Sequence, residues 1–320
     1  MAQQAWNTSI NYNQATTQHM LGSKTQMLYS ATGSTFEIGR ALGDGGMGSV
    51  HLAFQQTSHA KRHERRLVAI KLLRPDAPNQ ARRLFYHEGV LLPRLRHHNI
   101  VQYVEHGRGA IPGVGTLDYL AIHYIAGKTI EDLLRSHRGP LPLATVVGII
   151  AQLTSALEYL HQRGIVHCDL KPSNIMLENG APRAILIDFG IARAPDFVGQ
   201  PIAVGTPQYM APEQTDAKNE CDGRADIYAL GILIYELLTG RRLFANRTTT
   251  DLRQGRMVIP RINDLTAALH TRIVHVITCC LQANPEARYP TTTDLFDDLL
   301  CAAQHIFEEP PVLTSGTRVA

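Results

Sequence analysis

Residues 165–174 read IVHCDLKPSN and residues 185–190 read ILIDFG, so that Asp188 follows Asp169 by nineteen positions. The first segment brings Asp169, Lys171 and Asn174 within six positions. Carboxylate and amide oxygens are ligands that magnesium prefers. A carboxylate beside a lysine can also move a proton and neutralise developing charge. These two segments are therefore the strongest candidates for a catalytic centre.

A glycine-rich segment lies upstream of them, between two strand-like runs. It comprises Gly43, Asp44, Gly45, Gly46, Met47, Gly48, Ser49 and Val50. A dinucleotide site places such a segment between a strand and a helix, whereas here a second strand-like run follows at residues 49–53. That context favours a hairpin whose backbone N–H groups cover phosphates. A plain glycine turn is the alternative, because the pattern alone is weak.

Lys71 closes the apolar run LVAIK at residues 67–71 and is a candidate phosphate ligand. A lysine in this position can also be an ordinary edge residue, and taken alone that reading is favoured. A phosphate-binding lysine needs a carboxylate to orient it, and Glu88 on the next predicted helix is the candidate. An exposed helix glutamate is the alternative reading for Glu88.

The apolar pattern divides the chain into a strand-rich part and a helical part. Short strand-like runs extend from residue 36 to about 125, with one helix predicted at 81–95. After Gly127 the pattern is helical. The clearest helical face comprises Val146, Ile150, Leu153, Leu157 and Leu160, and further helices are predicted at 226–238, 265–281 and 294–306. The pattern predicts a β-rich lobe, a helical lobe and a cleft near residues 122–127.

A third segment, GTPQYMAPE at residues 205–213, completes a set that resembles the protein kinase family over residues 36–307. This segment and HCDLKPSN at 167–174 resemble serine/threonine rather than tyrosine kinases. The GGMG loop at 45–48 and the APEQ ending at 211–214 most resemble soluble bacterial members of the eukaryotic-type (Hanks-type) family. The resemblance implies an α+β, two-lobed protein kinase fold. It also implies transfer of the γ-phosphoryl group of Mg-ATP to Ser and Thr hydroxyls of protein substrates, with autophosphorylation.

The resemblance implies roles for the two catalytic segments. Asp169 would accept or orient the proton of the attacking hydroxyl, and Lys171 would neutralise charge on the transferring phosphoryl group. Asn174 and Asp188 would bind Mg²⁺, with Mn²⁺ as a substitute. Thr206 would bond Asp169 and Lys171 and help to select Ser/Thr substrates. Catalysis of this kind is positioning and charge stabilisation, without covalent chemistry on the enzyme.

The resemblance also implies an ATP site in the β-rich lobe. Lys71, held by Glu88, would bind the α- and β-phosphates beneath the glycine-rich loop. The side chains that would enclose adenine are Leu42, Val50, Ala69, Ile122 and Met176. Ile122 would guard the back of the pocket, and His123, Tyr124 and the next two residues would form the hinge. Each adenine-site residue taken singly could equally be ordinary core.

Several further residues resemble structural members of the family. Glu213 and Arg288 resemble a buried ion pair beneath the activation segment, and breaking such a pair is costly for folding. Asp226 resembles the aspartate that braces the catalytic loop. His167 and Phe189 resemble members of the hydrophobic spine.

The activation segment departs from the common pattern. Cys168 stands where many kinases place the arginine that binds a phosphorylated loop residue, and no hydroxyl side chain lies between Gly190 and Gly205. We therefore expect this segment to reach its working conformation without phosphorylation. Control would come from a partner, from protein level or from oxidation of Cys168. His98 replaces a proline often seen there, with little expected effect.

Composition limits the partners. The chain of 320 residues has a formal net charge of +3, and its one basic cluster, at residues 61–66, is too small for a nucleic-acid surface. The five cysteines form neither a metal-ligand spacing nor a disulfide framework, so we expect reduced thiols. No signal peptide is seen, and the nearest membrane-span candidate, 227–238, is too short. We expect a cytoplasmic protein with no nucleic-acid or membrane partner.

The ends of the chain read as tails. The expected organisation is a disordered tail at 1–35, a kinase domain at 36–307 and a short flexible tail at 308–320, with the N-lobe at about 36–122, the hinge at 123–126 and the C-lobe at 127–307. The N-terminal tail is rich in hydroxyls and is a candidate for autophosphorylation. We expect removal of residues 1–30 to preserve folding.

Two other classes of function compete with an active protein kinase. A pseudokinase scaffold is disfavoured because Lys71, Glu88, Asp169, Asn174 and Asp188 are all present. A small-molecule kinase of related fold is disfavoured by the Lys-Pro pair at 171–172 and the APE sequence at 211–213. Measuring Mg-ATP hydrolysis or autophosphorylation separates the first alternative from an active enzyme.

Overall fold

The computed structural model describes residues 25–45, 48–57, 65–137, 139–181, 183–195, 205–215, 221–253 and 269–308. The chain forms two compact units. The first contains the described residues up to Gly127 together with Ile187–Gly190, and the second contains Lys128–Leu186 and the described residues from Ile191 onward. The tails predicted at residues 1–24 and 309–320 lie outside the described residues.

The first unit is a closed six-stranded antiparallel barrel with one helix. The strands are β1 (Gln26–Ser30), β2 (Ser34–Asp44), β3 (Gly48–Thr57), β4 (Arg65–Leu73), β5 (Tyr103–Ile111) and β6 (Gly115–His123). Their spatial order is β1-β2-β3-β4-β6-β5, and pairing of β1 with β5 closes the barrel. Helix α1 (Asn79–Leu91) continues into a 3₁₀ turn, Leu92–Arg94. The predicted strands and the helix predicted at 81–95 are confirmed, with shifted ends.

Strand β1 corrects the prediction of a disordered tail reaching residue 35. Leu28 is fully buried and lies against Gly109, where an added Cβ would come within 2.3 Å of its Cδ2. Ser30 and Ser34 donate hydrogen bonds to the Glu105 carboxylate, at 2.8 and 2.7 Å. Burial would raise the pKa of Glu105, but the hydroxyl hydrogen bonds lower it overall. The polar residues of this segment are thus barrel residues whose partner lies about 75 positions away.

Deleting residues 1–30 should therefore destabilise the protein, contrary to the sequence-based expectation. Loss of buried Leu28 alone should cost about 2–5 kcal/mol. Deleting only residues 1–24, which leaves β1 intact, should keep the melting temperature unchanged. Thermal unfolding of both truncations and of Leu28→Ala checks this. If the longer truncation melts like the full chain, β1 contributes nothing to stability.

The second unit is mainly helical. Its helices are α2 (Ile130–His137), α3 (Leu143–His161), α4 (Arg224–Thr239), α5 (Thr249–Arg253), α6 (Thr271–Cys280) and α7 (Thr292–Glu308). Short 3₁₀ turns lie at Pro172–Asn174, Pro212–Thr215 and Pro285–Ala287. A small sheet has the order β7-β8-β9, with β7 (Gly127–Thr129), β8 (Ile175–Glu178) and β9 (Ala184–Leu186). The helix predicted at 265–281 is present from residue 271, its earlier part lying outside the described residues.

Helix α3 is a core helix of this unit. Val146, Ile150, Leu153 and Leu160 are fully buried, as the helical periodicity predicts. In the part of the chain that the structure describes, α3 is also the one helix long and apolar enough to span a membrane, a length that the sequence analysis did not single out. Packing of these side chains within the unit accounts for that composition.

A threonine caps the start of helix α7. The Thr291 hydroxyl accepts a hydrogen bond from the Asp294 backbone N–H at 3.1 Å, and the Asp294 carboxylate accepts one from the Thr291 N–H at the same distance. This reciprocal arrangement satisfies two backbone donors at the helix start.

Candidate active site

The glycine-rich segment is the turn of the β2–β3 hairpin. Gly45 and Gly48 exchange backbone hydrogen bonds of 2.9 and 3.3 Å, and Asp44 pairs with Ser49. Gly48 is required sterically, since a Cβ there would lie 2.0 Å from the Leu72 carbonyl oxygen on β4. Gly46 and Met47 lie outside the described residues. A second strand after the glycines excludes the strand-to-helix geometry of a dinucleotide site.

Lys71, Glu88 and Asp188 come together in the first unit. Lys71 Nζ lies 2.7 Å from Glu88 Oε2 and 3.9 Å from Asp188 Oδ1. Burial by itself would lower the pKa of Lys71, but the negative charges of Asp188 and Glu88 raise it above its ordinary value. Burial raises the pKa of Glu88, and the charge of Lys71 opposes that rise. Lys71 is therefore a positively charged side chain oriented by two carboxylates. The alternative interpretations, of Lys71 as an edge residue and of Glu88 as an exposed glutamate, are wrong.

Backbone contacts hold the DFG segment in the same unit. The Phe189 N–H donates to Glu88 Oε1 at 3.5 Å, and the Gly190 N–H donates to Asp188 Oδ1 at 3.0 Å. Phe189 itself is fully buried. These contacts fix the carboxylate of Asp188 beside Lys71.

The residues predicted to enclose adenine lie on neighbouring strands, except for one. Ala69 pairs with Ile122 across β4 and β6, and Val50 pairs with Gly43 across β2 and β3. Leu42 is 37% exposed, so its apolar side chain is accessible for contact with a flat apolar ligand. The His123 N–H donates to the Gln102 carbonyl at 2.9 Å, and Tyr124 packs beside Leu52 and Phe54. Met176 lies in the second unit on β8, paired with Ile185.

The catalytic loop of the second unit forms one hydrogen-bonded network around Asp169. Lys171 Nζ lies 2.6 Å from Asp169 Oδ2 and 2.9 Å from Thr206 Oγ1. The Thr206 N–H and hydroxyl both donate to Asp169 Oδ1 at 3.2 Å. Asn174 Nδ2 donates to Asp169 Oδ2 at 3.0 Å and to its carbonyl at 2.9 Å. Both carboxylate oxygens of Asp169 are thus oriented by neighbouring donors.

Asp226 on α4 supports this loop from beneath. Its carboxylate, 1% exposed, accepts the backbone N–H groups of His167 and Cys168, each at 2.9 Å, and lies 2.8 Å from His161 Nε2. Burial would raise the pKa of Asp226, but these partners lower it overall. Cys168 adopts φ +64°, the one positive φ among the described non-glycine residues. Asp226 and the loop together impose this left-handed backbone conformation.

Side-chain contacts to which the sequence analysis assigned no role hold the segment after Gly205. Gln214 Nε2 donates to the Cys168 carbonyl at 2.8 Å. Arg247 donates to the Pro207 and Met210 carbonyls at 2.8 and 2.6 Å. The Tyr209 hydroxyl donates to Glu236 at 2.5 Å. Gln214 adjoins the APE sequence, but no sequence signal marked Arg247, because its partners lie about 40 positions away.

Glu213 and Arg288 form the buried ion pair that the resemblance implied. Two parallel hydrogen bonds, 2.7 and 2.8 Å long, join the guanidinium to the carboxylate. Arg288 also donates to the carbonyls of Arg224 and Gln282, each at 2.8 Å. The Arg288 side chain is fully buried. A charge this deep in the unit needs its partner.

Asn174 in the second unit and Asp188 in the first each carry an oxygen donor of the kind that magnesium prefers. Asn174 uses Nδ2 to hold Asp169, which leaves its Oδ1 carbonyl oxygen as the candidate ligand. Asp188 presents a carboxylate that is 41% exposed. Across the described ranges, no group of three or more His, Cys, Asp or Glu side chains could hold a metal. Magnesium at a phosphoryl-transfer site needs only one or two protein ligands, because the substrate phosphates supply others.

Comparison with known proteins supports the same family. Residues 36–300 match the protein kinase domain family. The chain is 34% identical over 301 residues to serine/threonine-protein kinase PknB of Mycolicibacterium smegmatis, covering 89% of this chain and 46% of that protein. It is 35% identical over 289 residues to serine/threonine-protein kinase Pkn1 of Myxococcus xanthus, covering 85% and 39%. The chain thus spans less than half the length of these relatives.

A solved structure agrees with the fold. The crystal structure of a double mutant of the PknI kinase domain from Mycobacterium tuberculosis superposes with a TM-score of 0.65 at 27% identity, covering 88% of this chain and 98% of that one. The two-lobed α+β architecture expected from the resemblance is confirmed. By its motifs, by the arrangement of residues within each unit and by these likenesses, the chain belongs to the protein kinase domain family.

Proposed function

We propose that this protein is an active serine/threonine protein kinase that transfers the γ-phosphoryl group of Mg-ATP to Ser and Thr hydroxyls of proteins, including its own. The observation that carries the proposal is the network in which Asp169, Lys171 and Thr206 bond one another at 2.6–3.2 Å. The ion pair between Lys71 and Glu88 also supports it. A pseudokinase scaffold would need neither this phosphate-binding pair nor the network around Asp169. Protein substrates, ATP and magnesium are thus the proposed partners, and the cytoplasm is the proposed location.

The proposed mechanism assigns each network member a task. Asp169 accepts the proton of the attacking hydroxyl, and the donors from Thr206 hold its Oδ1 in place. Lys171 Nζ bridges Asp169 and Thr206 and places a positive charge where the phosphoryl group transfers. Lys71 orients the nucleotide phosphates. Asn174 and Asp188 would each supply an oxygen ligand to magnesium, which would neutralise phosphate charge.

The test is phosphoryl transfer in vitro. The full chain is incubated with Mg-ATP and a mixture of candidate protein substrates, and modified residues are mapped by mass spectrometry. Phosphoserine and phosphothreonine that require magnesium support the proposal. Absence of transfer to any protein, itself included, with ATP still bound, would establish the pseudokinase alternative instead.

We also propose that activation needs no loop phosphate. The Val166 and Arg193 backbones pair at 2.9 and 2.8 Å on one side of the loop, and Gln214 and Arg247 hold the other side. Residues 196–204 lie outside the described residues. A hydrogen bond with Cys221 and burial raise the pKa of Cys168 well above its ordinary value, so its thiol stays neutral. A neutral buried thiol is a poor target for oxidation, which disfavours that route of control.

Phosphatase treatment should therefore leave the enzyme active. Protein stripped of phosphate, with the phosphatase then removed, should have an initial rate within about twofold of untreated protein on an added substrate. The measurement must precede significant autophosphorylation. A loss of tenfold or more, about 1.4 kcal/mol in the barrier, recovered on incubation with ATP, would show that phosphorylation is needed.

A further inference from the structure

The second unit contains a surface pocket beside the catalytic loop. Its volume is about 240 Å³, and Pro172 forms part of its lining. Pro172 follows Lys171, whose Nζ lies 2.6 Å from Asp169. Three positions along a chain span at most about 11 Å. Since Pro172 belongs both to this loop and to the pocket lining, substrate residues within about three positions of the acceptor hydroxyl are the ones to test against the pocket.

The two carboxylates that line the pocket are already engaged. Glu131 lies 2.6 Å from Arg242 and 3.4 Å from Arg135. Glu236 is 2% exposed and accepts the Tyr209 hydroxyl at 2.5 Å. Neither carboxylate is therefore positioned to attract a basic side chain.

Two of the three arginines of the pocket are paired with carboxylates: Arg242 with Glu131, and Arg135 with both Glu131 and Asp132. Arg135 and Arg242 are 69% and 51% exposed, so both guanidinium groups reach solvent while they cover Glu131. Arg241 is exposed, and among the described residues no acidic side chain pairs with it. The Arg241 backbone N–H is held by Thr239 Oγ1 at 3.2 Å, directly after α4. Among the described residues, Arg241 is thus the pocket arginine without a carboxylate partner, and Pro172 of the catalytic loop lines the same pocket.

We propose that this pocket is a peptide subsite that selects protein substrates carrying an aspartate or glutamate within three residues of the acceptor hydroxyl. The inference rests on the proposed kinase function and names its substrate class. Arg241 supplies the main contact, because guanidinium forks bind carboxylates in two parallel hydrogen bonds. A basic substrate residue could bind Glu131 only by displacing Arg135 and Arg242 from it.

The test uses a matched set of short peptides with one central serine. In separate peptides, Asp, Asn or Lys occupies each position from three before to three after the serine. The specificity constant kcat/KM should be about fivefold higher for Asp than for Asn at one position, the upper range for an exposed ion pair. Arg241→Gln should reduce that ratio to below twofold, and Arg241→Lys should retain part of it.

The control is Arg272→Gln, which removes the same charge from an exposed arginine at the start of α6, outside the pocket. This variant should keep the full preference. Equal use of Asp and Asn peptides at every position, or preference for Lys, would overturn the inference. So would an Asp preference that Arg241→Gln leaves intact.

Binding separates this inference from the proposed function. Fluorescently labelled peptides with alanine in place of serine are titrated against the same proteins and followed by anisotropy. The Asp peptide should bind more tightly than the Asn peptide, and Arg241→Gln should remove the difference. Absence of transfer to every peptide would count against the kinase function, whereas equal binding of the Asp and Asn peptides would count against the acidic subsite.

Discussion

Replacing Asp169 with asparagine should lower the initial rate of phosphoryl transfer by at least about a hundredfold, the range that a positioned general base contributes. An amide cannot accept the hydroxyl proton. It also removes the negative charge that holds Lys171 Nζ at 2.6 Å. The affinity for ATP should change little, because Lys71 and Glu88 hold each other in the first unit without Asp169.

Initial rates on a protein substrate and calorimetric titration with Mg-ATP measure the two effects. Asp297→Asn is the matched control, since Asp297 is exposed on α7 and takes no part in the network. The control should keep both the rate and the affinity. If Asp169→Asn retained turnover close to that of the unaltered protein, Asp169 would not be the base.

Replacing Glu213 with glutamine should lower the free energy of unfolding by about 3–5 kcal/mol. The substitution keeps the size of the side chain but leaves the buried Arg288 guanidinium without a counter-charge. Arginine cannot lose its proton to relieve this, unlike a buried lysine. The carbonyls of Arg224 and Gln282 would still accept hydrogen bonds, but they supply no full negative charge.

Denaturant titration followed by circular dichroism measures the loss. The control is Arg74→Gln, which breaks the pair with Asp44 whose side chains are 48% and 67% exposed. An exposed pair of this kind contributes at most about 1 kcal/mol. A loss below 1 kcal/mol for Glu213→Gln as well would mean that the buried pair makes no special contribution to stability.

The local patterns of the sequence were enough to predict most elements and the members of the candidate site. The spacing of Val146, Ile150, Leu153 and Leu160 predicts α3, and the strand after the glycine-rich segment predicts its hairpin. Asp169, Lys171 and Asn174 lie within six positions. A short catalytic loop with such close spacing leaves little freedom in how these side chains meet.

The sequence-based reading was wrong where polar residues find distant partners. Residues 26–35 are polar enough to read as a tail, yet Ser30 and Ser34 bond Glu105 about 75 and 71 positions away. Composition measures how much apolar surface a segment can bury, not whether a carboxylate elsewhere satisfies its hydroxyls. Strand β1 can therefore be recognised only in the tertiary structure, where it pairs with β2 and β5.

What the sequence determined by itself is the chemistry: which side chains are present, in what order, and that they resemble those of a protein kinase. Only the tertiary structure decided how they are held. Asp226 and Gln214 bond the backbone of Cys168 in the catalytic loop, and Arg247 bonds the Pro207 carbonyl. Arg241, which directly follows α4, lines the same pocket as Pro172. The physical reason is that a side chain's charge and hydrogen-bonding groups are local properties, whereas its partner is set by packing of segments far apart in the chain.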